Sequence, residues 1–237
     1  MQPFTLELGD GQRIVGDLHS GGPPGYLFLH GLGSVRTGEK SNSLLAHASA
    51  RGRGLLRIDL RGHGESTGEL GRVAVSELIA DTLRVLEHVA LAWQGPTVVV
   101  GSSLGGLLGA YAAAARPDLV RGLALLAPAL GYVGNLEHRL DPTGRMWTGD
   151  GRGFVVEPRV LADGRRLDER GLPARLAVPT LVVHGTADEV IPHRHSERFF
   201  AAVADPRKEL WVVPGGDHRL NTVANEIWAR LDRLLAE

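Results

Sequence analysis

The sequence contains no cysteine, which excludes disulfides, thiolate metal sites and a cysteine nucleophile together. It also lacks an excess of either charge. Its 26 Lys and Arg stand against 27 Asp and Glu, for a formal net charge of −1, so there is no electrostatic footprint for nucleic acid or an anionic membrane surface. No apolar run approaches the roughly 20 residues that a membrane span needs. The opening Met1-Gln2-Pro3-Phe4 is not the start of a basic-then-apolar export signal. These absences lead to the expectation of a soluble, cytoplasmic protein with no nucleic-acid partner and no membrane span. Lysine is nearly missing too, with only Lys40 and Lys208 among the basic residues. At 237 residues the chain suffices for one well-buried core, and a single domain over 1–237 is expected.

What is present centres on Pro96-Thr97-Val98-Val99-Val100-Gly101-Ser102-Ser103-Leu104-Gly105-Gly106. A β-branched run meets Gly-x-Ser-x-Gly and then a stretch dense in Ala and Leu at 104–115, which predicts strand, sharp turn and helix with a serine at the apex. Strand and helix almost touch in such a turn, so the residues two before and two after the serine must lack bulk. Gly101 and Gly105 meet that demand around Ser103, and Ser102 has no such pair. A Gly/Ser-rich turn at a sheet edge is the plain alternative. A phosphate-binding loop would need Lys after Gly106, where Leu107 and Leu108 stand, and the Gly-x-Gly-x-x-Gly spacing of dinucleotide sites is absent. A nucleophilic serine further demands a carboxylate and a histidine later in the chain, each just after a strand.

Before the apex, alternation at 4–8 and 12–19 around Gly9-Asp10-Gly11 predicts an antiparallel hairpin at one edge. Pro23 and Pro24 break the chain. Strands at 26–29 and 55–60 and helices at 43–50 and 73–93 follow, the last with Val75, Leu78, Ile79, Leu83, Leu86 and Val89 at helical spacing. This order implies a parallel, doubly covered sheet with right-handed crossovers. After a strand at 122–126 the pattern lapses from about 129 to 178, where Gly, Asp and Arg dominate. That stretch is expected to form a small cap over the site, with a hairpin of 145–148 and 153–156 around Gly149-Asp150-Gly151. The sheet resumes at 179–185 and 209–213, with helices at 193–204 and 221–235.

The required partners follow in order. Asp188 stands in the loop after the strand at 179–185, and His218 in the loop after 209–213, so both are expected at the edge that carries Ser103. In that arrangement neutral His218 takes the Ser103 proton, and Asp188 fixes the imidazole tautomer and stabilises the imidazolium. Glu189 and Asp217 are the substitute carboxylates. The oxyanion is assigned to two backbone N–H groups, that of Leu104 and that of Leu32 in the loop after 26–29. His30 is assigned a structural role, Arg61-Gly62-His63-Gly64 a tight turn, and His193-Arg194-His195 a solvated helix start and not a metal site. No metal and no cofactor is expected.

With these residues in place the chain resembles the α/β-hydrolase superfamily. The resemblance rests on His30-Gly31, Asp59-x-Arg61-Gly62-x-Gly64-x-Ser66, Gly101-Ser102-Ser103-Leu104-Gly105-Gly106, His184-Gly185-x-x-Asp188-x-Val190-Ile191-Pro192 and Asp217-His218. It implies an α/β-hydrolase fold, with a mostly parallel sheet of about eight strands, helices on both faces and a cap insertion at about 129–178. The segment Ala115-Arg116-Pro117, the short cap and Asp217-His218-Arg219 look like the palmitoyl-protein thioesterase and acyl-glucuronide esterase branch. Cinnamoyl esterases, monoacylglycerol lipases and serine aminopeptidases share most of the marks. The expected activity is hydrolysis of a small-molecule carboxylic ester or thioester through an acyl-enzyme on Ser103. A peptidase or amidase and a non-catalytic ligand-binding protein of the same fold are the alternatives. Serine in place of aspartate at the apex argues against a dehalogenase.

Overall fold

The central apolar runs become strands because each is buried on both faces, as a parallel sheet between helical layers requires. In this computed structural model, which describes residues 1–9, 11–149 and 151–236, the sheet has eight strands: β1 (Gln2–Gly9), β2 (Gln12–His19), β3 (Gly22–Leu29), β4 (Arg53–Ile58), β5 (Thr97–Ser102), β6 (Val120–Leu126), β9 (Thr180–Gly185) and β10 (Lys208–Val213). They lie in the order β1-β2-β4-β3-β5-β6-β9-β10. Only the β1–β2 and β2–β4 pairings are antiparallel. The other five are parallel. Asp10 and Asp150, the middle residues of the two expected Gly-Asp-Gly turns, lie outside the described residues.

Residue alternation sorts each strand's side chains onto two faces. Leu27, Leu29 and Val99 join a core with α2 (Val75–Ala92), α3 (Leu104–Ala115) and Phe199 of α5 (Arg194–Ala202). Tyr26, Phe28, Val98 and Val100 join a second core with α1 (Glu39–Ala50) and α6 (Ala224–Ala236). In α2 the N–H of Ala74 is satisfied by the carboxylate of Glu77 at 2.7 Å, and the expected apolar stripe faces the sheet. Trp228 of α6 is wholly buried, and its indole N–H donates to Ser43 Oγ of α1 at 2.9 Å, which satisfies its one polar atom.

Beyond shifts of a few residues at element ends, the structure departs from expectation in three places. β3 begins at Gly22, ahead of Pro23 and Pro24, and its pairing with β4 shifts register between Gly22 and Tyr26. Proline has no N–H to give a ladder, so the irregularity falls there. The α1 helix starts four residues before the expected 43, in the polar Glu39-Lys40-Ser41-Asn42. Residues between β6 and β9 also hold more than the expected hairpin of β7 (Arg145–Trp147) and β8 (Gly153–Val155). They include a 3₁₀ stretch, Val133–Arg139, and a helix, α4 (Pro158–Arg166). Leu136, Met146, Val156 and Val160 form a small core of their own there.

Candidate functional site

Ser103 sits between the end of β5 and the start of α3 with φ 53° and ψ −115°, a region that side-chain-bearing residues rarely occupy. The surroundings hold it there. Its N–H donates to Leu126 O at 2.9 Å, and its C=O accepts from Gly106, Leu107 and Ala129. A Cβ on Gly101 would lie 2.2 Å from Gly105 O, and one on Gly105 would lie 2.2 Å from Leu29 O. The missing bulk is therefore a condition of the turn, as the motif demands.

Asp188 follows β9, and its side chain is fully buried. Oδ1 accepts the N–H groups of Val190 and Ile191, each at 2.8 Å. Oδ2 faces His218 Nδ1 at 2.7 Å and His184 Nε2 at 2.9 Å. Burial works to raise the carboxyl pKa, but the bonds from His184, His218 and Ile191 outweigh it and hold Asp188 well below the usual carboxylate range. Asp217, one of the substitutes, instead accepts the N–H of Leu220 at 2.8 Å. Glu189, the other, lines the cavity described next.

Ser103 and His218 line one cavity of about 780 Å³, together with Leu32 and Leu104. The loop bearing Leu32 passes close over the serine, since a Cβ on Gly31 would stand 3.1 Å from Ser103 Cβ. On the far side the insertion supplies Tyr132, Leu136, Met146, Phe154, Val156 and Val160. Polar bonds tie the insertion to the loops below it, two of them beside the cavity. Arg152 donates to Gly33 O at 3.0 Å, and Arg139 donates to Val190 O at 2.9 Å. Lys40 also lines the cavity; burial lowers its pKa to about 8, and its ammonium donates to Arg219 O.

The remaining marks of the sequence hold the loops in place. His30 is buried, and its Nε2 accepts the N–H of Leu60 at 3.0 Å. Burial pushes its pKa down to about 3. His63 Nε2 accepts the N–H of Gly33 at 3.1 Å, which ties the turn after β4 to the loop carrying Leu32. Arg61 makes a two-pronged pair with Asp81, at 2.8 and 2.6 Å. The fully buried Asp59 accepts from the backbone of Arg36 and Glu65 and pairs with the Arg36 guanidinium. At the start of α5, His193 is 3.9 Å from Glu197, and no group of three metal-binding side chains occurs among the described residues. Sequence reasoning gave no role to His184, to Ser196 behind it at 2.7 Å, or to Arg36. The only available signal was His184-Gly185-x-x-Asp188, which points to the carboxylate and not to the contact. Among the described residues no helix is long and apolar enough to cross a membrane.

Comparison with known proteins agrees with this architecture. The family described as "Serine aminopeptidase, S33" (Hydrolase_4) matches residues 26–147 and 168–222, well over half the chain. Mouse "Palmitoyl-protein thioesterase ABHD10, mitochondrial" is 28% identical over 217 residues, covering 86% of this chain and 72% of that protein. Among solved structures, "Alpha/beta hydrolase domain-containing protein 10 from mouse" superposes with a TM-score of 0.86 at 24% identity, over 100% of this chain and 99% of the other. "Ferulic Acid bound to Est1E from Butyrivibrio proteoclasticus" gives 0.85 at 21% identity, over 99% and 100%. At those identities the structural likeness speaks for the fold, and the family match for descent: the chain belongs to the serine aminopeptidase S33 family of α/β-hydrolases.

Proposed function

We propose that this hydrolase cleaves carboxylic esters or thioesters through an acyl-enzyme on Ser103. The observation that carries the reading is the 2.7 Å bond between His218 Nδ1 and the buried Asp188 carboxylate, made beside a cavity whose wall holds Ser103 in its constrained turn. With Nδ1–H donating to Asp188, Nε2 is left bare to accept a proton. Ser103 Oγ attacks the substrate carbonyl as its proton passes to Nε2, and the negative charge that forms on the carbonyl oxygen is met by the N–H groups of Leu32 and Leu104. Imidazolium then protonates the departing alcohol or thiol, and the acyl group stays on Oγ. Water, deprotonated by His218, releases the acid and restores the hydroxyl. Asp188 remains ionised throughout, consistent with its depressed pKa.

The apolar wall given by the insertion, which acts as a cap in this reading, suits a small or medium acyl or aryl group. The names of the relatives, a palmitoyl-protein thioesterase and an esterase holding ferulic acid, support ester or thioester chemistry. The family's description favours a second reading, an amidase of the aminopeptidase kind, and matched p-nitrophenyl ester and p-nitroanilide substrates discriminate the two. For the main reading, a fluorophosphonate probe is expected to modify Ser103, and Ser103→Ala to abolish both labelling and p-nitrophenyl ester turnover. Turnover persisting in that variant would refute it.

A further inference from the structure

His184, the fifth residue of β9, takes no part in the steps above, yet it is wholly buried against Asp188. Its Nε2 lies 2.9 Å from Asp188 Oδ2 and 3.0 Å from Ile191 O. Its Nδ1 lies 2.7 Å from Ser196 Oγ of α5. An ionised carboxylate and a carbonyl can only accept, so Nε2 carries the ring proton and donates. In the neutral ring Nδ1 is then bare, and the Ser196 hydroxyl donates to it. Oδ2 of Asp188 thus serves two imidazoles, His184 on the buried side and His218 on the cavity side.

We infer that His184, oriented by Ser196, is a positioning residue: it holds the Asp188 oxygen that His218 uses and so sets both the aim and the basicity of His218. The inference rests on the assignment of His218 as the base. A carboxylate with one donor on Oδ2 presents more of its charge to His218 and stabilises the imidazolium more. A second donor on that oxygen draws charge away, so the carboxylate stabilises the imidazolium less and leaves the neutral ring favoured as a base. It also keeps a buried carboxylate ionised where burial alone favours its neutral form. The other charged or titratable groups facing this cluster are Lys40 and Glu39 of α1, Asp217 and Arg219 beside His218, Glu189 beside Asp188, and His195 on α5. None of them is altered in the variants below.

The test is the pH dependence of kcat/KM for p-nitrophenyl acetate in wild type, His184→Leu, His184→Gln and Ser196→Ala, with fluorophosphonate labelling of Ser103 measured alongside. His184→Leu removes the donor and is expected to lower kcat about tenfold with little change in KM, and to move the acid limb up by about one pH unit. His184→Gln offers an amide N–H near the position of Nε2 and is expected to bring the limb back toward wild type. Ser196→Ala frees the ring and is expected to move the limb the same way by less. An acid limb that stays put while activity falls, or a Gln variant no better than Leu, overturns the inference in favour of simple packing. Should His184→Leu fail to fold, Ser196→Ala decides: a raised limb upholds the inference and an unmoved one refutes it. Unlabelled wild-type Ser103 would bring down the assignment of the base, and this inference with it. A labelled Ser103 with an unmoved limb brings down the inference alone.

Discussion

All six residues of β5 and all six of β9 are buried, whereas of the six residues in the strands β7 and β8 of the insertion only Met146 is. Trp147 at the hairpin's end is 57% exposed. The sheet edge that presents Ser103 and Asp188 is thus fixed by a core spread over the whole chain. The cavity wall opposite rests on a small core of four buried side chains, on Ala129 and Val133 where they join the main core, and on polar bonds to the loops beneath. One region holds Ser103 and Asp188 in position, and the other supplies one wall of the cavity. Between its ends the family match is interrupted once, at 148–167, and those residues fall within the insertion. Changes in the two regions should therefore have effects of different kinds, which makes the contrast testable.

The largest effect is expected at the sheet edge without loss of fold. Ser103→Ala and Asp188→Asn should each lower kcat by about ten-thousand-fold, as loss of a nucleophile or of the tautomer-fixing carboxylate does in such sites. For Ser103→Ala, thermal melting close to wild type, read by circular dichroism, checks that the loss is chemical. Next, Gly105→Ala should destabilise the whole domain by about 3 kcal/mol, because its Cβ would lie 2.2 Å from Leu29 O. Urea unfolding should show this as a lowered midpoint. If that variant is as stable as wild type, the turn is not held as tightly as the contrast requires.

A smaller and more selective effect is expected in the insertion. Leu136→Ala should lower kcat/KM for an octanoyl ester by about tenfold and leave acetyl ester turnover nearly unchanged, since Leu136 lines the cavity from the insertion's own core. Equal losses on both esters would erase the distinction between the regions. The smallest effect concerns pH. His30 titrates near pH 3 in the folded chain against an ordinary value of 6.5, so below the ordinary value the unfolded chain binds a proton that the folded chain refuses. The stability this represents is present above about pH 6.5 and is lost progressively as pH falls toward about 3. His63 is lowered in the same direction by its burial. Urea midpoints should fall between about pH 7 and about pH 5, and His30→Gln should flatten that slope.

The same contrast governs what the sequence disclosed. The strand-turn-helix at Ser103 was legible because its demands are local: β-branched residues, two glycines at fixed offsets and an Ala-rich helix, and α3 runs over 104–115 as expected. In α4 only Val160 and Gly164 are buried, so no apolar stripe marked it, and Gly164 lowers its helical propensity further. The expected bounds of β4, β6 and β10 were off by one or two residues at the ends, where strand pairing sets the limit: Asp59 and Leu60 are buried yet lie beyond β4. The order of Ser103, Asp188 and His218 in the chain pointed to one sheet edge, because loops after parallel strands share that edge. The contact of His184 with Ser196 depends on how β9 packs against α5, which residue spacing does not encode, whereas Asp188 lies only four residues further along the chain. Arg36 reaches the buried Asp59 across 23 positions of the chain, a pairing that only the folded structure discloses.

The most direct measurement is mass spectrometry of the protein quenched in acid during turnover of a p-nitrophenyl ester. The account predicts that the intact chain gains the mass of one acyl group and that fragmentation places it on Ser103, with no gain in Ser103→Ala. Turnover with the acyl group on another residue, or a gain that survives in Ser103→Ala, would contradict it.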